Sequence, residues 1–175
     1  MAYDIPLLLV QALWLIWPAY CANAFPVVMK GKKPLDFNKK LGKNRLFGKS
    51  KTIEGTLGGI FIGIVIGVAQ MFLHPVLPSW LGLTQFTLAL VIALSFGALA
   101  GDIIGSFIKR RFSVESGRRT IPLDQLDFLL ISLLFANFIV RIEIVIIIIL
   151  IVLTPPIHLV TNVMGYATKL KKRPW

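Results

Sequence analysis

The stretch Leu123–Pro156, LDQLDFLLISLLFANFIVRIEIVIIIILIVLTPP, decides how often this chain crosses a membrane. Its first uncharged run, Phe128 to Val140, has 13 residues, about 20 Å of helix at ~1.5 Å per residue. A spanning helix needs ~20 residues. The helix must therefore begin near Leu123, which draws Asp124 and Asp127 into its first turns. Arg141 and Glu143 then mark a tight turn, and Ile144 to about Tyr166 forms the next span. Pro155 and Pro156 are expected to kink that span, because Ile144 to Leu153 alone is too short. Fusing Phe128 to Leu153 into one crossing would put the basic C-terminal tail outside, and is rejected.

Three further runs lie upstream: Ile5–Met29, Leu57–Leu73 and Phe86–Ile108. Pro6, Pro18 and Pro26 interrupt the first, so a kinked helix is expected there. Asp4 is the only charge ahead of that run, and without a positive start it reads as a retained helix, not a cleaved signal. Only 15% of the 175 residues are charged and 56% are hydrophobic, against about 25% charged in soluble domains. The class is all-α polytopic membrane protein, because no ~10-residue alternating strands of a barrel appear. The single cysteine, Cys21, excludes an intrachain disulfide and a cysteine metal site.

Net charge is +11. In a soluble protein that would suggest nucleic acid as partner. Here the cations sit between apolar runs, so topology is the better reading and no nucleic acid is expected. Of the 19 Lys and Arg residues, all but Arg141 fall in a loop at about 30–51, a second loop at about 109–122, or the C-terminal tail. The positive-inside rule then gives one membrane domain over 1–175 with five transmembrane helices, N-terminus out and C-terminus in, both basic loops cytoplasmic. Pro75, Pro78 and Trp80 lie in an uncharged outer loop.

Gly55, Gly59, Gly63 and Gly67 recur every four residues, as do Gly97, Gly101 and Gly105. Each set makes a smooth helix face that permits close approach. If the two faces pack, Lys51 and Thr52 come near Asp102, Ser106 and Lys109. Those last three share one face at i, i+4 and i+7. Asp124 and Asp127 share another at i and i+3. Three carboxylates thus converge at one end of the bundle. Ionisable groups at membrane depth are costly and read by default as functional. Two readings of the cluster stand: a hard divalent cation held by the carboxylates, or salt bridges to loop lysines and arginines.

Lys49, Lys51, Lys109, Arg110 and Arg111 suit a polyphosphate, or an anionic lipid surface. FGKSKT (47–52) is not a P-loop, since Lys43 stands where that pattern needs Gly and no strand precedes it. It opens a helix whose free N–H groups favour an anion, with Thr52 as cap or phosphate ligand. His74 and His158 have no ligand-spaced partner and read as structural. Asn23, Gln70 and Asn137 read as interhelical hydrogen-bonding groups.

Asp102-x-x-x-Ser106-x-x-Lys109-Arg110, followed by Pro122-x-Asp124-Gln125-x-Asp127, resembles the signature of lipid cytidylyltransferases. Gln125 stands where the CDP-diacylglycerol synthases carry Arg, and their His-Gly-Gly stretch is missing. The match is closer to the CDP-archaeol synthase family, through Pro34-x-Asp36-Phe37, Arg45-x-x-Gly48 with Lys51-Thr52-x-x-Gly55, and Asp124-Gln125-x-Asp127-Phe128. The resemblance covers most of the chain. It implies a nucleotidyltransferase that moves CMP from CTP to an isoprenoid-ether phosphatidic acid, 2,3-bis-O-geranylgeranylglycerol 1-phosphate. The products would be CDP-archaeol and pyrophosphate, made at the cytoplasmic side of the cell membrane with Mg²⁺ as cofactor. It implies metal binding by Asp102, Asp124 and Asp127, and catalytic roles for Lys51, Asp102, Lys109 and Asp124. Nucleotide contacts are implied for Arg45, Gly48, Lys51, Thr52, Gly55, Ser106, Lys109 and Arg110. The alternatives are a phosphatidate cytidylyltransferase and, from a different class, an ion-coupled transporter built on the intramembrane carboxylates.

Overall fold

The computed structural model describes residues 4–114 and 123–171. Within them the chain forms α1 (Ile5–Ala24), α2 (Pro26–Met29), α3 (Ile53–Leu73), α4 (Leu88–Arg111), α5 (Leu123–Asn137) and α6 (Ile144–Ala167). A two-stranded ribbon, β1 (Lys40–Leu41) with β2 (Asn44–Arg45), lies in the loop before α3. Four spans among the described residues are long and apolar enough to cross a membrane: Ile5–Met29, Ile53–Val76, Leu88–Arg111 and Ile144–Ala167. At 15 residues, α5 is about 22 Å long and shorter than the other four. It does begin at Leu123, with both acids in its first turns, as the length argument requires. Arg118, Arg119, Pro122, Lys172 and Arg173 lie outside the described residues.

The prolines act unequally. Pro18 sits within α1 without breaking it, while α1 ends at Ala24 and the short α2 opens with Pro26 after a helical Phe25. α6 runs on through Pro155 and Pro156 as one helix. Two missing N–H donors there cost local hydrogen bonds but do not end the helix.

α4 is the central element, packed on α1, α3 and α5. In lipid, helices gain little from apolar burial alone, so close packing of small residues carries much of the association. The two glycine faces do not meet each other, contrary to expectation. On α3, Gly59 and Gly63 are approached by Ala22, Leu99 and Ser95, and Gly67 by Val91. The face of α4 takes α5 instead. A Cβ placed on Gly97 would lie 2.8 Å from Ser132 Cα, and one on Gly101 2.3 Å from the Asp127 carbonyl oxygen. Only a residue with no Cβ admits another backbone that closely.

Three buried hydroxyls are satisfied within their own helices. Ser95, Ser132 and Thr154 donate to carbonyls one turn back in their own helices. Gln70 Nε2 donates to the Trp14 carbonyl (2.9 Å), which bears out its interhelical reading. Asn137 instead accepts from Ile142 N (3.1 Å) and closes the turn between α5 and α6. Trp14 Nε1 and Gln11 Nε2 bond the carbonyls of Thr84 and Leu81 at 2.9 Å each, tying the α3–α4 connection to α1.

Candidate active site

The polar chemistry collects where the C-terminal half of α4 meets the first turns of α5. Its position follows from the glycines. Gly101 seats the backbone of Asp127 and Phe128, and Gly105 lies under the Asp127 carboxylate, where a Cβ would come within 2.0 Å of Oδ2. Lys109, one turn further along α4, bonds the Asp124 carboxylate and stands 3.8 Å from Asp127 Oδ2. On the same helix Asp102 receives Lys51 Nζ at 2.5 Å. Lys51, Asp102, Lys109, Asp124 and Asp127 therefore come together. Ser106 is buried on the same stretch of α4.

The loop before α3 is built to present Lys51. Leu35 N–H donates to the Lys51 carbonyl (2.8 Å) and Ile53 N–H to the Lys33 carbonyl (2.9 Å), so two short segments are zipped side by side at Pro34 and Thr52. The hub of this loop is Asp36. Its buried carboxylate takes both Arg45 Nε (3.1 Å) and Nη2, and accepts the N–H groups of Asn38, Phe47 and Gly48. The Arg45 guanidinium and these backbone donors outweigh burial and hold the Asp36 carboxyl well down, at about 2. Arg111 fastens the loop to α4: its guanidinium lies 5.0 Å from the Phe107 ring centre and donates to the carbonyls of Leu41 and Arg45 at 2.8 Å each. Asn44 adds a bond to the Arg110 carbonyl (3.0 Å).

Several expected nucleotide contacts are thus occupied within the chain. Arg45 and the Gly48 amide serve Asp36. Thr52 caps α3 by accepting Gly55 N–H at 3.2 Å, and Gly55 makes room for Pro26. Arg110 is buried and donates to the Val114 carbonyl.

The carboxylates expected to hold a metal are met by lysines in this structure. Among the described residues, no three acidic, histidine or cysteine side chains are gathered as a ligand cage. Lysines meet the carboxylates, the salt-bridge reading, because opposite charges at this depth pair. The donors do fit a hard cation. They are all carboxylate oxygens, and Asp127 Oδ2 is buried with no hydrogen-bond partner.

Sequence reasoning missed a fourth contributor, from α6. Lys171 Nζ bonds Asn162 Oδ1, Asn162 Nδ2 lies 3.2 Å from His158 Nδ1, and the His158 ring stacks on Phe128 at 6.4 Å. The i, i+4 spacing of His158 and Asn162 was the available signal.

The fold and this corner together define a multi-pass intramembrane protein with its ionisable chemistry concentrated at one end. A family model described as CarS-like, CDP-archaeol synthase, matches residues 5–175. The chain is 45% identical over 168 residues to the CDP-archaeol synthase of Pyrococcus furiosus, covering 95% of this chain and 98% of that one. It is 41% identical over 165 residues to the CDP-archaeol synthase of Pyrobaculum arsenaticum, covering 92% and 95%. A solved intramembrane enzyme of archaeal membrane lipid biosynthesis matches with a TM-score of 0.78 at 35% identity, over 89% of this chain and 94% of that one. The chain belongs to the CDP-archaeol synthase family, whose members are CTP-dependent nucleotidyltransferases.

Proposed function

We propose that this corner transfers CMP from CTP to the phosphate of an isoprenoid-ether phosphatidic acid. A lipid phosphate oxygen attacks the α-phosphorus of CTP, the new P–O–P bond forms, and the Pα–O–Pβ bond breaks. Pyrophosphate leaves with the electron pair. The attacking phosphate is already ionised near neutral pH, so no strong general base is required. The barrier lies in bringing two polyanions together, and fixed cations lower it. Lys51 and Lys109 are placed to exchange their carboxylate partners for phosphate oxygens. Arg110 contributes charge beside them.

Asp102, Asp124 and Asp127 would hold a hard divalent cation, with Mg²⁺ the fitting choice. When bound it neutralises phosphate charge and polarises the phosphoryl oxygens. Asp36, through Arg45 and the amides of Phe47 and Gly48, keeps the loop in the shape that delivers Lys51.

The topology proposed with this chemistry has α5 as a fifth crossing in one membrane domain, with N-terminus out and C-terminus in. The basic loops and the site then face the cytoplasm, where CTP is available. The lipid enters sideways from the bilayer. The observation that carries the reading is the alternation of lysines and carboxylates, from the loop before α3 and from α4 and α5, at one end of the bundle.

The test is purified protein with CTP, Mg²⁺ and an ether-linked phosphatidic acid, with an ester-linked phosphatidic acid in parallel. Mg²⁺-dependent pyrophosphate release with the ether lipid is expected. No release with either lipid would overturn the reading, and release with the ester lipid alone would move it to a phosphatidate cytidylyltransferase.

A further inference from the structure

The end of α6 folds back on itself. Thr168 N–H donates to the Met164 carbonyl and Lys169 N–H to the Tyr166 carbonyl, each at 2.9 Å. Lys169 takes a left-handed φ of 58°, and Lys171 N–H returns to the Gly165 carbonyl at 2.9 Å. Reversals of this kind satisfy the last carbonyls of a helix. This one also turns the Lys171 side chain back along the helix. Its stem lies over Gly165, where a Cβ would stand 3.4 Å from Lys171 Cδ.

The amine ends on Asn162 Oδ1. Asn162 is buried and shares a hydrogen bond with His158, whose ring stacks on Phe128. Phe128 N–H in turn donates to Asp127 Oδ1 at 2.7 Å. A continuous set of contacts thus links the acid corner to Lys171. The amine stands in the field of that corner: burial lowers its pKa, the Lys51 charge lowers it further, and Asp102 and Asp124 oppose the shift.

Two features separate Lys171 from the other lysines of the site. Lys51 and Lys109 bond carboxylates, whereas Lys171 bonds a neutral amide and keeps its charge for another anion. Lys51 and Lys109 also approach from the loop before α3 and from α4, whereas Lys171 hangs from the end of α6. That helix exposes Leu159, Val160, Val163 and Met164 on its outer side. Exposed apolar residues on a spanning helix face acyl chains. Lys171 therefore stands where a lipid headgroup, carried by tails along α6, reaches the acid corner.

We propose that Lys171, held by Asn162, binds the phosphate of the lipid substrate, leaving Lys51 and Lys109 to the triphosphate. The assignment rests on the proposed transfer reaction for the identity of the lipid. The site itself is an ammonium for a phosphomonoester at a membrane boundary.

The test compares wild type with Lys171→Met, Lys171→Arg and the exposed neighbour Lys169→Met. Binding of ether-linked phosphatidic acid in nanodiscs and of CTP alone is measured for each, beside the steady-state KM for each substrate. Lys171→Met is expected to weaken lipid binding and raise the lipid KM about tenfold, with CTP affinity unchanged. Lys171→Arg should restore most of the loss, and Lys169→Met should match wild type. Unchanged lipid affinity in Lys171→Met, an equal loss in Lys169→Met, or a loss confined to CTP would each overturn the proposal.

Amine labelling of wild-type protein gives a readout independent of variant folding. Lys171 should be protected by the lipid phosphate and not by CTP, and the reverse pattern would overturn the assignment. If the transfer reaction itself is wrong, wild type releases no pyrophosphate, while the binding and labelling results still decide the role of Lys171.

Discussion

The two glycine faces look alike in sequence and do different work. α3 repeats glycine at Gly55, Gly59, Gly63 and Gly67, and α4 at Gly97, Gly101 and Gly105, both with a period of four. The α3 face is filled mostly by side chains from α1 and α4, including Ala22, Leu99, Ser95 and Val91. The α4 face is filled by backbone and by a carboxylate: Ser132, Asp127 and Phe128. One face packs helices, whereas the other also sets where charge stands. A small-residue stripe alone does not distinguish the two. What distinguishes them is the helix packed against each: α5 brings Asp124 and Asp127 to the α4 face, whereas α1 and α4 bring small and apolar side chains to the α3 face.

The comparison can be pressed hardest at the charges that the α4 face positions. Asp102→Asn and Asp124→Asn each keep size and remove the charge. Each is expected to lower pyrophosphate release about 10²–10³-fold, the range for losing one electrostatic contact to a transition state. Thermal stability should stay close to wild type. Full activity in Asp124→Asn would exclude that carboxylate as an essential ligand.

The packing face should respond in stability instead. A Cβ on Gly67 would lie 2.5 Å from a Val91 methyl. Overpacking of this kind typically costs about 1–3 kcal/mol. Gly67→Ala should lower the melting temperature while turnover per folded molecule stays near wild type. A selective loss of turnover would show that the α3 face also carries function.

A smaller effect is expected from the loop that presents Lys51, and it depends on pH. The Asp36 carboxyl is held at about 2, below its ordinary value near 3.8, so folding favours the charged form. Its contribution is complete above the ordinary value and is lost as pH falls through about 2. The protection of the Phe47 and Gly48 amides, measured relative to their intrinsic exchange at each pH, should hold from neutral pH down to about 4 and fall toward 2. In Asp36→Asn that protection should be low at every pH, and wild-type protection in that variant would remove Asp36 as the hub.

The sequence made much of this visible, for physical reasons. Runs of apolar residues and the distribution of Lys and Arg are one-dimensional signals of the bilayer, so the apolar helices could be read directly, but α4 continues through Lys109–Arg111, which the charge pattern assigned to a loop. The start of α5 at Leu123 followed from a length deficit. The gathering of Asp102, Lys109, Asp124 and Asp127 followed from helical spacing and chain reversal, whereas Lys51 was brought to them by packing the two glycine faces together, which is not how the helices meet. Which glycine face meets which helix did not follow, because periodicity fixes a face and not its partner. Arg45 and Gly48 looked like ligands for a nucleotide, yet Asp36 claims both across 9 and 12 residues of loop. Lys171 was hidden in a basic tail that the positive-inside rule explains without it, and only the backbone reversal after Ala167 brings it to the site.

The most direct test of the account is Gly105→Ala. The new methyl would meet the Asp127 side chain, at 2.0 Å from Oδ2 and 2.8 Å from Cβ, so the carboxylate must leave its position and α4 and α5 must part slightly to admit it. Pyrophosphate release per folded molecule, measured with CTP, Mg²⁺ and the ether lipid, is predicted to fall at least about a hundredfold, beyond the modest drop in melting temperature that overpacking brings. Wild-type turnover in a folded Gly105→Ala protein would contradict the claim that the α4 glycine face places the charges of the site.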